Sequence, residues 1–166
     1  MFQLKPLTRD AIPRALEKAE RYRLLNEPAE AESICEDVLH IEPDNQQALV
    51  MELLALTEQF DDGVGSHLAN ARAVLPRLQS AYDRVYYAGI IAERHAKALL
   101  KIGGIGAPRG AHELLHEAMA HYQEAETLRQ QGNDDAVLRW NACARLLMRD
   151  GADERVVEQR FEPFLE

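Results

Sequence analysis

Residues 11–49 read AIPRALEKAERYRLLNEPAEAESICEDVLHIEPDNQQAL, and this stretch indicates the fold of the whole chain. Apolar residues recur over 12–25, and again over 29–41, at the three- and four-residue spacing of an amphipathic helix. Asn26-Glu27-Pro28 is a turn signal between the two stretches, and Pro43-Asp44-Asn45 ends the second. The stretch therefore predicts two helices joined by a short turn.

Small and aromatic residues occupy fixed places in this pair of predicted helices. Ala19 and Ala31 are small where the two helices would cross closely, and Tyr22 would fill the gap between them. Pro43 would prevent the second helix from continuing. This spacing resembles the tetratricopeptide repeat, a two-helix unit of about 34 residues. The closing stretch LHIEPDN, residues 39–45, also follows the family's usual end.

The resemblance implies an all-α fold, because repeat units of this family stack side by side. We expect a single domain over residues 1–166, built as a right-handed α-solenoid of about four antiparallel helical hairpins. The best-matching unit is 11–45, and the more degenerate units are 46–80, 81–130 and 134–163.

Eight helices are predicted in total, and no run of alternating β-branched and polar residues indicates a strand. Asp44 is expected to cap the third helix together with Gln47, and Pro76 is expected to end or bend the fourth. The last two helices are predicted over 134–149 and 153–163, the eighth being a charged terminal cap.

The charge is acidic overall and unevenly distributed. The 166 residues carry 19 Lys and Arg against 28 Asp and Glu, a formal net charge of −9. Residues 1–62 hold 14 acids and 6 bases, residues 63–110 hold 2 and 7, and residues 111–166 hold 12 and 6. Nucleic-acid binding needs a dominant basic surface, so we expect no nucleic-acid partner.

Cysteine usage and hydropathy favour a cytoplasmic protein. Cys35 and Cys143 lie far apart among apolar helical positions, which is typical of buried free thiols in a reducing compartment. The N-terminal residues lack the layout of a signal peptide, and no apolar run is long enough to cross a bilayer. We therefore expect no membrane partner.

Repeat units of this kind are scaffolds that bind other proteins, so the resemblance implies a non-enzymatic interaction module without a cofactor. Its concave groove would bind a peptide or helix of a partner protein. The contact residues predicted on the inner helices are Glu20, Arg23, Val50, Leu54, Thr57, Tyr86, Ile90, Arg94 and Lys97.

The basic centre of the chain suggests the chemistry of that partner. Its bases alternate with three tyrosines, and arginine and tyrosine are enriched at protein interfaces. The residues concerned are Arg72, Arg77, Arg84, Arg94, Lys97 and Lys101, with Tyr82, Tyr86 and Tyr87. They would suit an acidic peptide. Alternatively, the bases pair with acids of the flanking helices within the chain.

One motif favours a different function. His112-Glu113-Leu114-Leu115-His116 matches H-E-x-x-H, in which His112 and His116 would bind zinc and Glu113 would act as general base. Glu117 follows directly where zinc peptidases prefer an uncharged residue, and no third ligand is evident. A small zinc hydrolase is therefore an alternative, and a bacterial secretion-type chaperone, similar in size and acidity, is a third.

Overall fold

The computed structural model describes residues 2–61 and 63–160, with side chains as far as residue 150. This part of the chain is helical and contains no strand, which confirms the predicted all-α class. Short 3-10 turns occupy Arg9–Ala11 and Leu75–Arg77. The α-helices are α1 (Ile12–Leu24), α2 (Pro28–Ile41), α3 (Gln46–Glu58), α4 (Val64–Val74), α5 (Ala81–Ile102), α6 (Ala107–Leu128) and α7 (Asp135–Arg160).

The predicted break between a seventh and an eighth helix is wrong. Helix α7 continues through the expected break at residues 150–152 and reaches Arg160. A glycine in a helix interior costs only about 1 kcal/mol relative to alanine, so Gly151 does not end the helix. The last part of the predicted eighth helix, residues 161–163, lies outside the described residues.

The start of α3 differs by one residue from the prediction. Asn45, rather than Asp44, is the cap: its side-chain oxygen accepts a hydrogen bond of 3.0 Å from the backbone N–H of Ala48. Its amide nitrogen donates to a carboxylate oxygen of Glu42 at 2.9 Å, which fixes the cap on the end of α2. Asn45 has the extended backbone that an N-cap needs.

The predicted effect of Pro76 is confirmed. Helix α4 ends at Val74, two residues before this proline, and the chain tightens into the 3-10 turn Leu75–Arg77. Proline removes the N–H that would continue the helical hydrogen bonds, so the α-helix cannot extend through it.

Each helix packs against the next one along the chain, and α3 also contacts both α1 and α5. Ala19 and Ala31 are fully buried in one cluster with Cys35, and Tyr22 packs against that cluster, as the sequence predicts. Two larger clusters form the rest of the core, one centred on α3 and the other between α5, α6 and α7. In the described part of the chain, no helix has both the length and the apolar character needed to cross a bilayer.

Candidate interaction surface on the odd-numbered helices

A row of charged side chains crosses from α1 through α3 and α5 to α7. Its members interact across helices that are distant in sequence. We call this row the ionic strip, and it consists of Arg23, Glu58, Arg94, Glu93, Lys97 and Arg139.

The strip begins with a two-pronged ion pair between α1 and α3. Arg23 Nε donates to one carboxylate oxygen of Glu58 at 3.0 Å, and its terminal nitrogen donates to the other at 2.6 Å. The two side chains are 19% and 23% exposed. Paired, partly buried hydrogen bonds of this kind fix orientation as well as add energy. The pair therefore ties the C-terminal end of α1 to that of α3.

Arg94 joins α5 to the same carboxylate. Its guanidinium lies 3.4 Å from Glu58 and donates to the Thr57 hydroxyl at 2.6 Å and to the Leu54 carbonyl at 3.0 Å. Burial lowers the pKa of Arg94, while Glu58 acts in the opposite direction. Arginine remains charged at any physiological pH, so Arg94 is a fixed positive group between two helices.

Glu93 is the buried centre of the other half of the strip. Only 1% of this residue is exposed, yet it accepts hydrogen bonds from Lys97, from Arg139 at 3.4 Å and from the Tyr122 hydroxyl at 2.7 Å. Burial by itself would raise the pKa of Glu93, but hydrogen bonds from Lys97 and Tyr122 hold it below its usual value. The carboxylate is therefore ionised and helps to hold α5, α6 and α7 together.

The strip has more positive than negative charge, with four bases against two acids. Lys97 and Arg139 share a single oxygen of Glu93, and their side chains are 51% and 39% exposed. Each base therefore keeps donors that face the solvent.

A cavity of about 250 Å³ lies beside the strip, between α3 and α5. Lys101 and Asp61, which both line it, form an ion pair. We call it the α3–α5 groove, and its lining residues are Thr57, Glu58, Phe60, Asp61, Arg94, Lys97, Ala98 and Lys101.

A cluster of tyrosines continues the surface along α5. The ring of Tyr86 stacks on Tyr82 at 5.4 Å between centroids and meets Tyr87 edge-on at 5.2 Å. It also lies 5.8 Å from the ring of Tyr122, the partner of Glu93. Burial raises the pKa of Tyr87 to about 12, so its hydroxyl stays protonated.

The structure brings together several of the predicted contact residues. Arg23, Arg94 and Lys97 belong to the strip, while Leu54 and Thr57 supply hydrogen-bond acceptors to Arg94. Because Thr57 is only 3% exposed, its visible role is to hold Arg94. The other predicted positions lie on the same helices: Glu20 is exposed on α1, whereas Val50 and Tyr86 are half-buried on α3 and α5.

Ile90 has to be corrected as a contact residue. It is 1% exposed and packs in the core cluster between α5, α6 and α7. Helix α5 is apolar on several sides, so periodicity alone does not show which apolar residue faces outward.

Three of the six bases of the basic centre form ion pairs within the described part of the chain. Arg94, Lys97 and Lys101 pair with Glu58, Glu93 and Asp61 respectively. For these three bases, the alternative of pairing with acids within the chain is therefore correct. Contact with an acidic partner stays a prediction. It depends on the positive charge that remains because the bases of the strip outnumber its acids.

Sequence reasoning missed three members of the strip, Glu58, Glu93 and Arg139. A weak signal existed for Glu93, which is a lone acid in the apolar stretch YYAGIIAE with Lys97 one helical turn later. Arg139 lies 46 positions away along the chain, so no local pattern connects it with Glu93.

The H-E-x-x-H residues lie apart from the strip, on α6. His112 Nε2 is 3.4 Å from a carboxylate oxygen of Asp150 on α7, whereas His116 is exposed. Glu113 pairs with Arg109 on its own helix at 3.1 Å. Among the side chains that the structure describes, no group of three or more His, Cys, Asp or Glu is arranged to hold a metal ion.

Comparison of this chain with known protein families, with curated proteins and with solved structures finds no match.

Proposed function

We propose that this chain is a non-enzymatic interaction module that binds an acidic peptide or helix of a partner protein. The binding surface is the ionic strip together with the α3–α5 groove. One observation carries the proposal: two half-exposed bases, Lys97 and Arg139, share one carboxylate that is itself 1% exposed. The desolvation penalty of burying Glu93 is already offset in the folded chain. The positive charges of Lys97 and Arg139 face the solvent.

A partner carboxylate would use donors that the internal pairs leave available. An ammonium group has three N–H donors and a guanidinium has five, so pairing with Glu93 does not saturate Lys97 or Arg139. Hydrogen bonds between charged groups are about twice as strong as neutral ones. The contacts would come from the charged residues of the groove, because Phe60 and Ala98 beside them are each only 2% exposed.

We also propose that the helices form a right-handed solenoid of antiparallel hairpins. In a right-handed solenoid of the tetratricopeptide type, the first helix of each unit lines the concave side. The strip uses only α1, α3, α5 and α7, and α3 contacts α1 and α5 directly. Both observations support this arrangement. The free, buried thiols of Cys35 and Cys143 support a cytoplasmic location, where thiols stay reduced.

Selection from a random peptide library on the immobilised full chain tests the function. We expect the enriched peptides to be rich in Asp and Glu, and their binding to weaken as salt rises, because exposed charges are screened. Enrichment of neutral or basic peptides, or binding that is unaffected by salt, would contradict the proposal.

A further inference from the structure

The solvent-facing side of α1 carries a basic stripe that is separate from the ionic strip. Arg14, Lys18 and Arg21 are exposed and follow one another at helical spacing, so they lie on one side of α1, opposite the buried Ile12 and Leu16. None of the three bases forms an ion pair with another residue whose side chain is described. The positive charges of these three bases are thus available to a binding partner.

Apolar groups accompany these bases. A cavity of about 650 Å³ borders the stripe, and the described residues that line it are Arg14, Glu17, Lys18, Arg21, Tyr22 and Leu25. Leu25 is 61% exposed, and Lys18 lies over the ring of Tyr22 at 5.6 Å. The stripe thus combines charged groups with the apolar groups of Tyr22 and Leu25, and protein interfaces combine the two in the same way.

The complementary surface lies on the next helix of the same chain. Residues 1–25 hold 6 bases and 3 acids, whereas residues 26–61 hold 10 acids and no Lys or Arg. Glu30, Glu36 and Asp37 are exposed on α2 and form no ion pair with another residue in the described part of the chain. Glu36 and Asp37 border a cavity of about 280 Å³ that is also lined by Leu4, Lys5, Pro6, Leu7 and His40. At 3.6 residues per turn, Glu30 and Asp37 lie on one side of α2 and Glu36 lies about 120° further round; together they are called the acidic stripe.

The two stripes also match in length. Arg14 to Arg21 and Glu30 to Asp37 are both seven residues apart, or about 10 Å along a helix at 1.5 Å per residue. We propose that the chain forms a two-fold symmetric dimer in which α1 of each copy docks on α2 of the other. Two-fold symmetry satisfies both stripes of both copies at once and closes the assembly.

Charge reversal in the full chain tests the dimer by sedimentation equilibrium. Wild-type protein should be dimeric at an ionic strength of about 10 mM and dissociate towards monomer at about 1 M, where screening shortens the range of charges from ~30 to ~3 Å. The triple variant Arg14→Glu, Lys18→Glu, Arg21→Glu should dimerise at least tenfold more weakly. So should the triple variant Glu30→Lys, Glu36→Lys, Asp37→Lys.

Mixing the two triple variants gives the most specific result. One then carries two acidic stripes and the other two basic stripes, so a heterodimer should form although each variant alone dimerises at least tenfold more weakly than the wild type. All six changes in one chain should restore the homodimer. The triple variant Arg72→Glu, Arg109→Glu, Arg145→Glu is the matched control for the variant of the basic stripe. It changes the net charge by the same amount, at three exposed bases elsewhere, and should leave the dimer intact.

Circular dichroism on each variant checks folding, and all six positions are exposed. A wild-type chain with a dimer Kd above about 1 mM at low salt would overturn the proposal. A dimer that survives either reversal would also overturn it, as would loss of the dimer in the control to the same extent. Because the ionic strip is untouched in these variants, their result does not depend on whether it binds a peptide.

Discussion

The hydroxyl of Tyr122 on α6 donates a hydrogen bond of 2.7 Å to a carboxylate oxygen of Glu93 on α5. The two residues are 0% and 1% exposed, so this bond lies inside the core. The other oxygen of the same carboxylate accepts from Lys97 and Arg139, which reach the solvent. Glu93 therefore connects the packing of α5 and α6 with the charge of the proposed binding surface.

Removing this hydroxyl should destabilise the fold. Tyr122→Phe leaves a buried carboxylate oxygen without its donor, which should lower the free energy of unfolding by about 1–3 kcal/mol. Urea unfolding followed by circular dichroism measures the loss. Tyr22→Phe, at a half-buried tyrosine on α1, is the control and should change little. Equal effects in the two variants would show that the Tyr122–Glu93 bond does not contribute to stability.

Gly89 gives Tyr122 the space for this bond. A Cβ atom at Gly89 would lie 2.6 Å from a ring carbon of Tyr122, too close for any side chain. Gly89→Ala should displace the ring and destabilise the protein by about 1–3 kcal/mol through overpacking.

Gly110→Ala is the control for this substitution. Its nearest neighbour would be Leu99 at 3.6 Å, an ordinary contact, and alanine in a helix is favoured by about 0.5–1 kcal/mol. We therefore expect melting temperatures to shift in opposite directions in the two variants. A stabilised Gly89→Ala protein would show that the ring can move at no cost.

The pKa of Glu93 predicts how stability depends on pH. Because this pKa is below its ordinary value of 4.5, the ionised carboxylate contributes stability above that pH. The contribution is lost as the pH falls through the lower pKa of the folded state. Glu93→Gln cannot titrate, so the difference in unfolding free energy between wild type and variant should shrink below about pH 4.5.

Unfolding titrations from pH 7 down to pH 3 measure this difference. Glu124→Gln, at an exposed glutamate on α6, serves as control and should show little difference at any pH. If the gap between wild type and Glu93→Gln stayed constant over this range, Glu93 would not be the ionised centre of the strip.

Both cysteine thiols should be unreactive in the folded protein. Cys35 and Cys143 are 0% and 1% exposed, and burial raises the pKa of each to about 12, so very little thiolate forms near neutral pH. A disulfide reagent such as Ellman's should modify neither thiol until urea unfolds the chain, when both should react. Rapid release of one equivalent from native protein would place that thiol at the surface.

The local fold was largely predictable because helix signals are local. The first two helices were predicted to end at residues 25 and 41, within one residue of the observed ends of α1 at Leu24 and α2 at Ile41. At the C-terminal end, two helices were predicted over 134–149 and 153–163, but a single glycine has a small cost and α7 continues through Gly151.

The candidate site was predictable only in part. Arg94 and Lys97 could be proposed from the local density of bases and tyrosines. Glu93 could not, because a buried carboxylate is stable only when donors from other helices reach it, and those of Tyr122 and Arg139 come from distant parts of the chain. Ile90 was misplaced for a related reason, since α5 has apolar residues on more than one side.

We propose that the surplus positive charge of the ionic strip and the α3–α5 groove binds acidic peptides. Fluorescence anisotropy with a labelled acidic peptide from the library selection tests it most directly, by comparing wild type with the double variant Lys97→Met, Lys101→Met. Arg72→Met, Arg109→Met is the matched control, because it removes two exposed bases that lie outside the strip and the groove. We predict at least tenfold weaker binding, about 1.4 kcal/mol, for the lysine variant and unchanged binding for the control. Equal affinities of wild type and the lysine variant, with the fold intact by circular dichroism, would contradict the account.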